Sequence, residues 1–262
     1  MRSGTCLRSS AQTVGFRTMV TEESRLQQRV RPAGPAFGHQ RWNDLLFLHW
    51  QVDPTDVQAT LPRGLTVDTH AGAAYLGIVP FFMERIRPRW LPPVPWLSWF
   101  LELNVRTYVH DDKGRPGVFF YSLDCNQPVA VWLARRLFHL PYQHARMRAT
   151  RNGSHFDYVC QRTHPSSTPA RYVWAADDGV LPTDVGSLEF FLVERYLLFT
   201  STRRGQLKVG QVHHKPYRVG RAHVTQHSVE PAKQAGFALA GPPVSALHAA
   251  AVDVEVFPLR SI

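Results

Sequence analysis

The chain has 262 residues, 44% of them hydrophobic and 11% aromatic, with a formal net charge of +10. This content excludes disorder as the main state, and no run approaches the ~18 consecutive apolar residues of a membrane-spanning helix. Three cysteines, Cys6, Cys125 and Cys160, are too few for a disulfide framework and suit a reducing compartment. The expected location is the cytoplasm.

The positive charge is carried by arginine: 26 arginines stand against 4 lysines. Clustered cations would suit nucleic acid or an anionic membrane surface. Here the arginines are interspersed with acids and prolines, and no helix-turn-helix or zinc-finger spacing accompanies them. The expectation is therefore no specific nucleic acid and no membrane. A nucleic-acid-associated basic protein is kept as a third reading.

Residues 1–40 read as a basic tail without a sustained apolar period, with disorder expected over 1–30. Within it, 1–18 are Arg-rich and acid-poor without a secretory apolar core, and Met19 serves as a start as well as Met1. A single domain is expected over 41–262. Asn43–Trp50 reads as a buried strand. Asp53-Pro54 opens a short helix, with Asp53 as cap and Pro54 in the first turn, and Leu61–Gly64 ends it. Leu65–Thr69 and Ala73–Phe82 read as a strand pair around His70-Ala71-Gly72. The prolines between 88 and 95 exclude helix and central strand. That stretch reads as a rigid loop anchored by Trp90, Trp96 and Trp99.

Further strands are expected at 100–110, 117–124, 142–150 and 154–162, with helical character over 127–138. Asn152-Gly153 between the last two is a hairpin signal. A helix over 187–195 is expected to start at Thr183 or Asp184. More strands fall at 196–201, 207–212, 218–228 and 248–258. Many strands and few short helices give a mainly β (α+β) class, a barrel or stacked sheets.

The order of motifs resembles a known family. Phe47-Leu48-His49-Trp50, Leu61-Pro62-Arg63-Gly64-Leu65, Gly77-Ile78-Val79-Pro80-Phe81 and Arg87-Pro88 come first. Glu102–Val109, Gly117–Asp124, Ala134-Arg135, Leu140-Pro141-Tyr142 and Glu194-Arg195-Tyr196 follow. As a set these resemble the YqjF-like bacterial family, which is distantly similar to acetoacetate decarboxylase. The resemblance implies an acetoacetate-decarboxylase-like β-barrel or cone with a central cavity. It does not imply decarboxylation. Acetoacetate decarboxylases carry a Schiff-base lysine after a proline; here Tyr142 and Gln143 follow Pro141, and neither forms an imine. Lys113, Lys208, Lys215 and Lys233 offer no substitute.

On the strand at 100–109, Glu102, Asn104, Arg106 and Tyr108 alternate with Leu101, Leu103, Val105 and Thr107, so the polar set shares one face. In a half-solvated strand that face is simply wet. In a closed barrel it points inward, where buried charges must pair or hold a ligand. Glu102, Tyr142 and His139 are the catalytic candidates. Arg106, Arg135, Asn104 and Glu194 are the ligand-binding candidates, with the arginines as carboxylate clamps. No metal is expected: His213-His214 point to opposite faces of a strand, His223 and His227 lie ~13 Å apart on one, and no HExxH or CxxC occurs. No cofactor motif is present. The reading is an internal pocket for a small organic acid or carbonyl compound, with lyase- or isomerase-like chemistry or with ligand binding alone. A homo-oligomer is left open.

Overall fold

A computed structural model describes residues 20–164, 166–202 and 204–262. The architecture follows from three long strands that are buried on both faces over much of their length. These are β1 (Gly38–Val52), β3 (Ala74–Pro88) and β4 (Phe100–Asp111). Strands with two apolar faces need cover on both. Leu45, Phe47, Val79 and Phe81 enter one core, whereas Leu46, Leu48, Leu76, Ile78, Leu103 and Val105 enter another. Alternation along each strand thus sorts residues between two interiors, not between interior and water.

The sheet bends to supply both covers. The remaining strands are β2 (Leu65–Val67), β5 (Pro116–Cys125), β6 (Tyr142–Asn152), β7 (His155–Arg162), β8 (Ala170–Ala176), β9 (Leu197–Ser201), β10 (Leu207–His213), β11 (Val219–Gln226), β12 (Ser245–Val256) and β13 (Arg260–Ser261). All thirteen form one sheet in the order β13-β10-β9-β5-β6-β7-β8-β11-β12-β1-β3-β4-β2, and the extra pairings β4–β5 and β10–β12 close it on itself. One closed circuit runs through β1, β3, β4, β5, β9, β10 and β12. The other leaves β5 through β6, β7, β8 and β11 and returns by β12. Phe156, Tyr158, Tyr172 and Trp174 fill the second circuit. The mainly β architecture expected from the strand pattern is present.

Among the described residues five short helices decorate the sheet: α1 (Glu22–Gln27), α2 (Pro54–Thr60), α3 (Pro128–Leu137), α4 (Leu188–Val193) and α5 (Glu230–Gln234). Asp53 caps α2 through a 2.7 Å bond from the Thr55 N–H. The β6–β7 hairpin turns at Asn152-Gly153, and Gly153 adopts the positive φ of +60° that this turn needs.

Several expectations are corrected. β2 pairs with β4 and not with β3, and the isolated bridge His70↔Ala73 spans the turn between them. α4 is shorter than expected and is capped by Ser187, not Thr183 or Asp184. β8, β13 and α5 carry no expectation. The tryptophans of the proline-rich loop are not buried anchors: Trp90 and Trp96 are each 70% exposed.

The expected extension over 1–18 lies outside the described residues. The later part of the expected tail is ordered. A capping box between Thr21 and Ser24 starts α1. Arg25 makes two 2.7 Å bonds to Asp68, Arg29 bonds Glu194 at 3.0 Å, and Arg31 bonds Glu255 at 2.6 Å. These arginines are fixed by acids far along the chain, which local patterning does not reveal.

Asp68 is the hub of this docking. It also accepts a 2.7 Å bond from Arg195, whose side chain is 2% exposed. Burial pushes the Asp68 carboxyl up, but Arg195 and Arg25 together more than offset this and hold it below its ordinary value. Asp68→Ala strands the Arg195 charge and is expected to cost about 3–5 kcal/mol. Arg25→Ala leaves Asp68 one guanidinium and is expected to cost about 1–2 kcal/mol. Urea unfolding of both variants checks the ranking, and equal losses would contradict the hub role.

Candidate functional site

The first circuit is not filled. It encloses a cavity of about 380 Å³ whose wall is largely apolar, with Leu45, Val79, Phe81, Val118, Phe120 and Leu123 among the lining residues. That volume lies within the range of about 300–1,000 Å³ of small-molecule sites. α3 and the loop between β3 and β4 border it, through Val129, Leu133 and Leu137 on the helix and Leu97 on the loop.

Glu102, Asn104 and Arg106 of β4 face this cavity in a row. Their alternation partners Leu103 and Val105 sit in the other core, so the row has no route to bulk water on the far side. Tyr142, at the start of β6, joins them and donates a 2.8 Å hydrogen bond to Glu102 Oε2. β6 runs parallel to the end of β5, which brings Tyr142 level with Leu123.

Burial pushes the Glu102 carboxyl up to about 8; the Tyr142 bond opposes the rise and the nearby Asp124 charge adds to it. At neutral pH Glu102 is therefore mainly a neutral acid, able to donate. Burial, and then the Glu102 charge, push the Tyr142 phenol well above its ordinary value. It serves as a donor and not as a base.

Two guanidiniums complete the polar wall. Arg106 donates to the Leu192 carbonyl at 3.2 Å and lies over Phe47 at 5.3 Å; its Nε finds no partner among the described residues. Arg195 donates to Asp68 and to the Phe191 carbonyl, and its Nη2 finds no partner among the described residues. Burial lowers the Arg195 pKa to about 10, which still leaves it charged at neutral pH. Asn104 Oδ1 is likewise buried and without a partner. Unsatisfied buried polar atoms are uncommon and costly, and these three belong to residues that line one cavity.

Behind Arg106, His49 Nε2 lies 2.7 Å from the Tyr108 hydroxyl, which donates to the Leu192 carbonyl at 2.8 Å. Burial first, and the Arg106 charge second, lower the His49 pKa well below its ordinary value, so it is neutral. Gly77 makes the space: a Cβ there would meet the His49 ring at 3.2 Å and Arg106 Cγ at 3.4 Å.

The other expected site residues lie elsewhere. Arg135 is exposed on α3 and bonds the Tyr142 carbonyl at 2.6 Å; it braces the helix against β6 from outside. A helix presents one face to the cavity, and Ala130, Leu133, Ala134 and Leu137 occupy it. His139 is exposed, in a left-handed conformation with φ 52°, and its carbonyl accepts from Thr200. Glu194 is buried but faces away from the cavity, bonded to Arg29, Tyr196 and the Tyr217 N–H. Its neighbour Arg195 is the residue that reaches the cavity. The pattern of an acid beside a base at a helix end gives no sign of which side chain turns inward.

A larger open groove of about 1150 Å³ lies outside the barrel wall. Two of its arginines are paired with acids, Arg41 with Asp253 and Arg151 with Asp44, each at 3.0 Å. The interior cavity is the candidate site because its wall is largely apolar and three of its lining residues, Asn104, Arg106 and Arg195, hold buried polar atoms without a partner among the described residues. Among the described residues no group of three His, Cys, Asp or Glu side chains is placed to hold a metal ion.

The raised Glu102 pKa has a signed consequence. Between its unfolded value near 4.5 and its folded value of about 8, the folded state holds a proton that the unfolded state has released. Stability therefore falls as pH rises through this window. His49 and His214, with lowered values, act oppositely but only below about 6.5. Between pH 6.5 and 8, Glu102→Gln is expected to remove about 1–2 kcal/mol of the decline. Calorimetric unfolding across that window at constant ionic strength checks it, and parallel profiles for the two proteins would refute a neutral Glu102.

Residues 39–253 match the model of the DUF2071 family, described as an uncharacterised conserved protein. The chain is 38% identical over 198 residues to the uncharacterised protein YqjF of Bacillus subtilis (strain 168), covering 76% of this chain and 81% of that one. Among solved structures, an acetoacetate decarboxylase from Legionella pneumophila superposes with a TM-score of 0.60 at 14% identity, over 97% of this chain and 98% of that chain. An acetoacetate-decarboxylase-like enzyme from Sphingomonas wittichii RW1 gives 0.58 at 13% identity, over 87% and 94%. The enduracididine biosynthesis enzyme MppR, complexed with pyruvate, gives 0.58 at 15% identity, over 87% and 91%. At such identities the likeness is one of fold, and the fold is acetoacetate-decarboxylase-like. By its sequence, the chain belongs to the DUF2071 family.

Proposed function

We propose that the interior cavity binds a small organic acid or carbonyl compound with an apolar body, its polar head set between Arg106, Arg195, Asn104 and Glu102. The observation that carries this reading is the pair of guanidiniums, each with a buried unpartnered nitrogen, lining one cavity with a carboxyl that burial keeps protonated. A guanidinium facing an apolar cavity matches a carboxylate. A neutral carboxylic acid beside it donates to a carbonyl oxygen, and does not repel the anion as a carboxylate would. The apolar wall fits the rest of the ligand. One protein of this fold is described as complexed with pyruvate, a compound with both polar groups.

The chemistry that these residues support is proton transfer at a carbonyl. Glu102 hydrogen-bonds the oxygen, and Arg106 and Arg195 stabilise the negative charge that develops on it as solvent water takes the proton from the carbon beside the carbonyl. No lysine lines the cavity among the described residues, which favours chemistry without an imine. That same lack supports a second reading, ligand binding without turnover.

The test uses pyruvate, acetoacetate and longer 2-oxo and 3-oxo acids as probes in calorimetric titration. Binding is expected for at least one acid, weakened about 10–100-fold by Arg106→Ala, the loss of a charge-assisted pair, and unchanged by Arg135→Ala. Deuterium exchange at the carbon beside the carbonyl, followed by NMR and lost in Glu102→Gln, separates catalysis from binding. Failure of every acid to bind, or undiminished binding by Arg106→Ala, would overturn the reading.

A further inference from the structure

The rim of the cavity has a character of its own. Residues 85–101 and 126–142 contain five arginines, at 85, 87, 89, 135 and 136, and no Asp, Glu or Lys; Arg85 and Arg87 also line the outer groove. The same segments expose large apolar side chains. Trp90 and Trp96 are 70% exposed, Trp132 57%, Leu137 53% and Leu91 50%. The two segments are joined, since Gln127 Nε2 donates to the Trp96 carbonyl at 2.8 Å. Leu137 both lines the cavity and is exposed, so the patch surrounds the place where the cavity meets solvent.

An exposed aromatic patch of this kind marks an interaction face. Trp96 holds a left-handed backbone, with φ 58°, a strained state for such a residue that recurs at functional sites. The charge decides the partner. A second copy related by a two-fold axis would set one ring of arginines against another, with no acid in either segment to answer them. An anionic lipid surface answers them all. Tryptophans settle at the headgroup level of a bilayer, leucines reach below it, and arginines pair with the phosphates above. Arg136 already stacks over Trp132, at 5.3 Å from the ring, so charge and aromatic ring are presented together. Among the described residues no helix is long and apolar enough to cross a membrane, which makes the contact interfacial.

We propose that this face docks on an anionic lipid surface, with Trp90, Trp96 and Trp132 in the headgroup layer and Arg89 and Arg136 against the phosphates. Docking would place the opening of the cavity at the bilayer surface.

The full chain is sedimented with phosphatidylcholine vesicles, with and without about 30% phosphatidylglycerol. Binding is expected to the anionic vesicles, with a blue shift of tryptophan emission. It is expected to fall about ten-fold or more without the anionic lipid, and again in Trp90→Ser/Trp132→Ser and in Arg89→Gln/Arg136→Gln. These side chains are exposed, so an unchanged melting temperature in each variant shows that the fold survives. No sedimentation with anionic vesicles would overturn the proposal. So would binding that the tryptophan variant retains in full. A stable dimer in analytical ultracentrifugation that Trp132→Ser dissociates would assign the face to a second copy and also overturn it.

Discussion

The structure depends on one wall that is buried on both sides. β1, β3 and β4 separate two interiors, and whatever alternates along them must be accommodated in one or the other. Leu103 and Val105 are committed to the aromatic-filled circuit, and this alone commits Glu102, Asn104 and Arg106 to the opposite one. A polar row on an edge-solvated strand would carry no chemical meaning. On this wall it is enclosed by a closed circuit of strands, and enclosure is what raises the Glu102 pKa and keeps His49 neutral.

Enclosure also requires the charges to be handled. A buried guanidinium is tolerable only with a counter-charge. Arg195 has Asp68, and Asp68 is shared with Arg25 from the segment that precedes β1. The polar wall of the cavity is thus continuous with the docking of α1, through three charged groups. Arg106 is handled differently. It uses a backbone carbonyl and two aromatic faces, and so it keeps its charge uncompensated by any carboxylate among the described residues. That asymmetry sets a guanidinium paired with a carboxylate apart from one held by a carbonyl and aromatic faces alone.

Local chemistry was legible in the sequence, and distance was not. The Asn152-Gly153 turn, the Asp53 cap and the alternation on β4 are written in neighbouring residues and recur in the structure. The position of Arg135 depends on which face α3 turns inward, and Ala134 beside it takes the cavity side. Glu194 and Arg195 differ only in how the chain leaves α4. Arg29 meets Glu194 across 165 residues, a pairing that no window of sequence contains. The order after residue 20 therefore escaped a reading based on apolar period, because charge and not apolar surface docks that segment.

The placement of α3 ties the cavity to the surface. Its cavity side is made of small and aliphatic residues, with Ala130, Leu133 and Ala134, while Trp132 and Arg136 face outward. A helix whose outer face is polar would be held in place by water as well as by its core contacts. Here Val131 is the one buried side chain of the helix, and Trp132, Arg135 and Arg136 are exposed on its outer side, so few core contacts hold it in place. The elements most weakly committed to a core are the first to move in a folded protein. The opening of the cavity is therefore best sought at α3, between a wall that cannot shift without exposing two cores and a helix that exposes almost nothing new when it does.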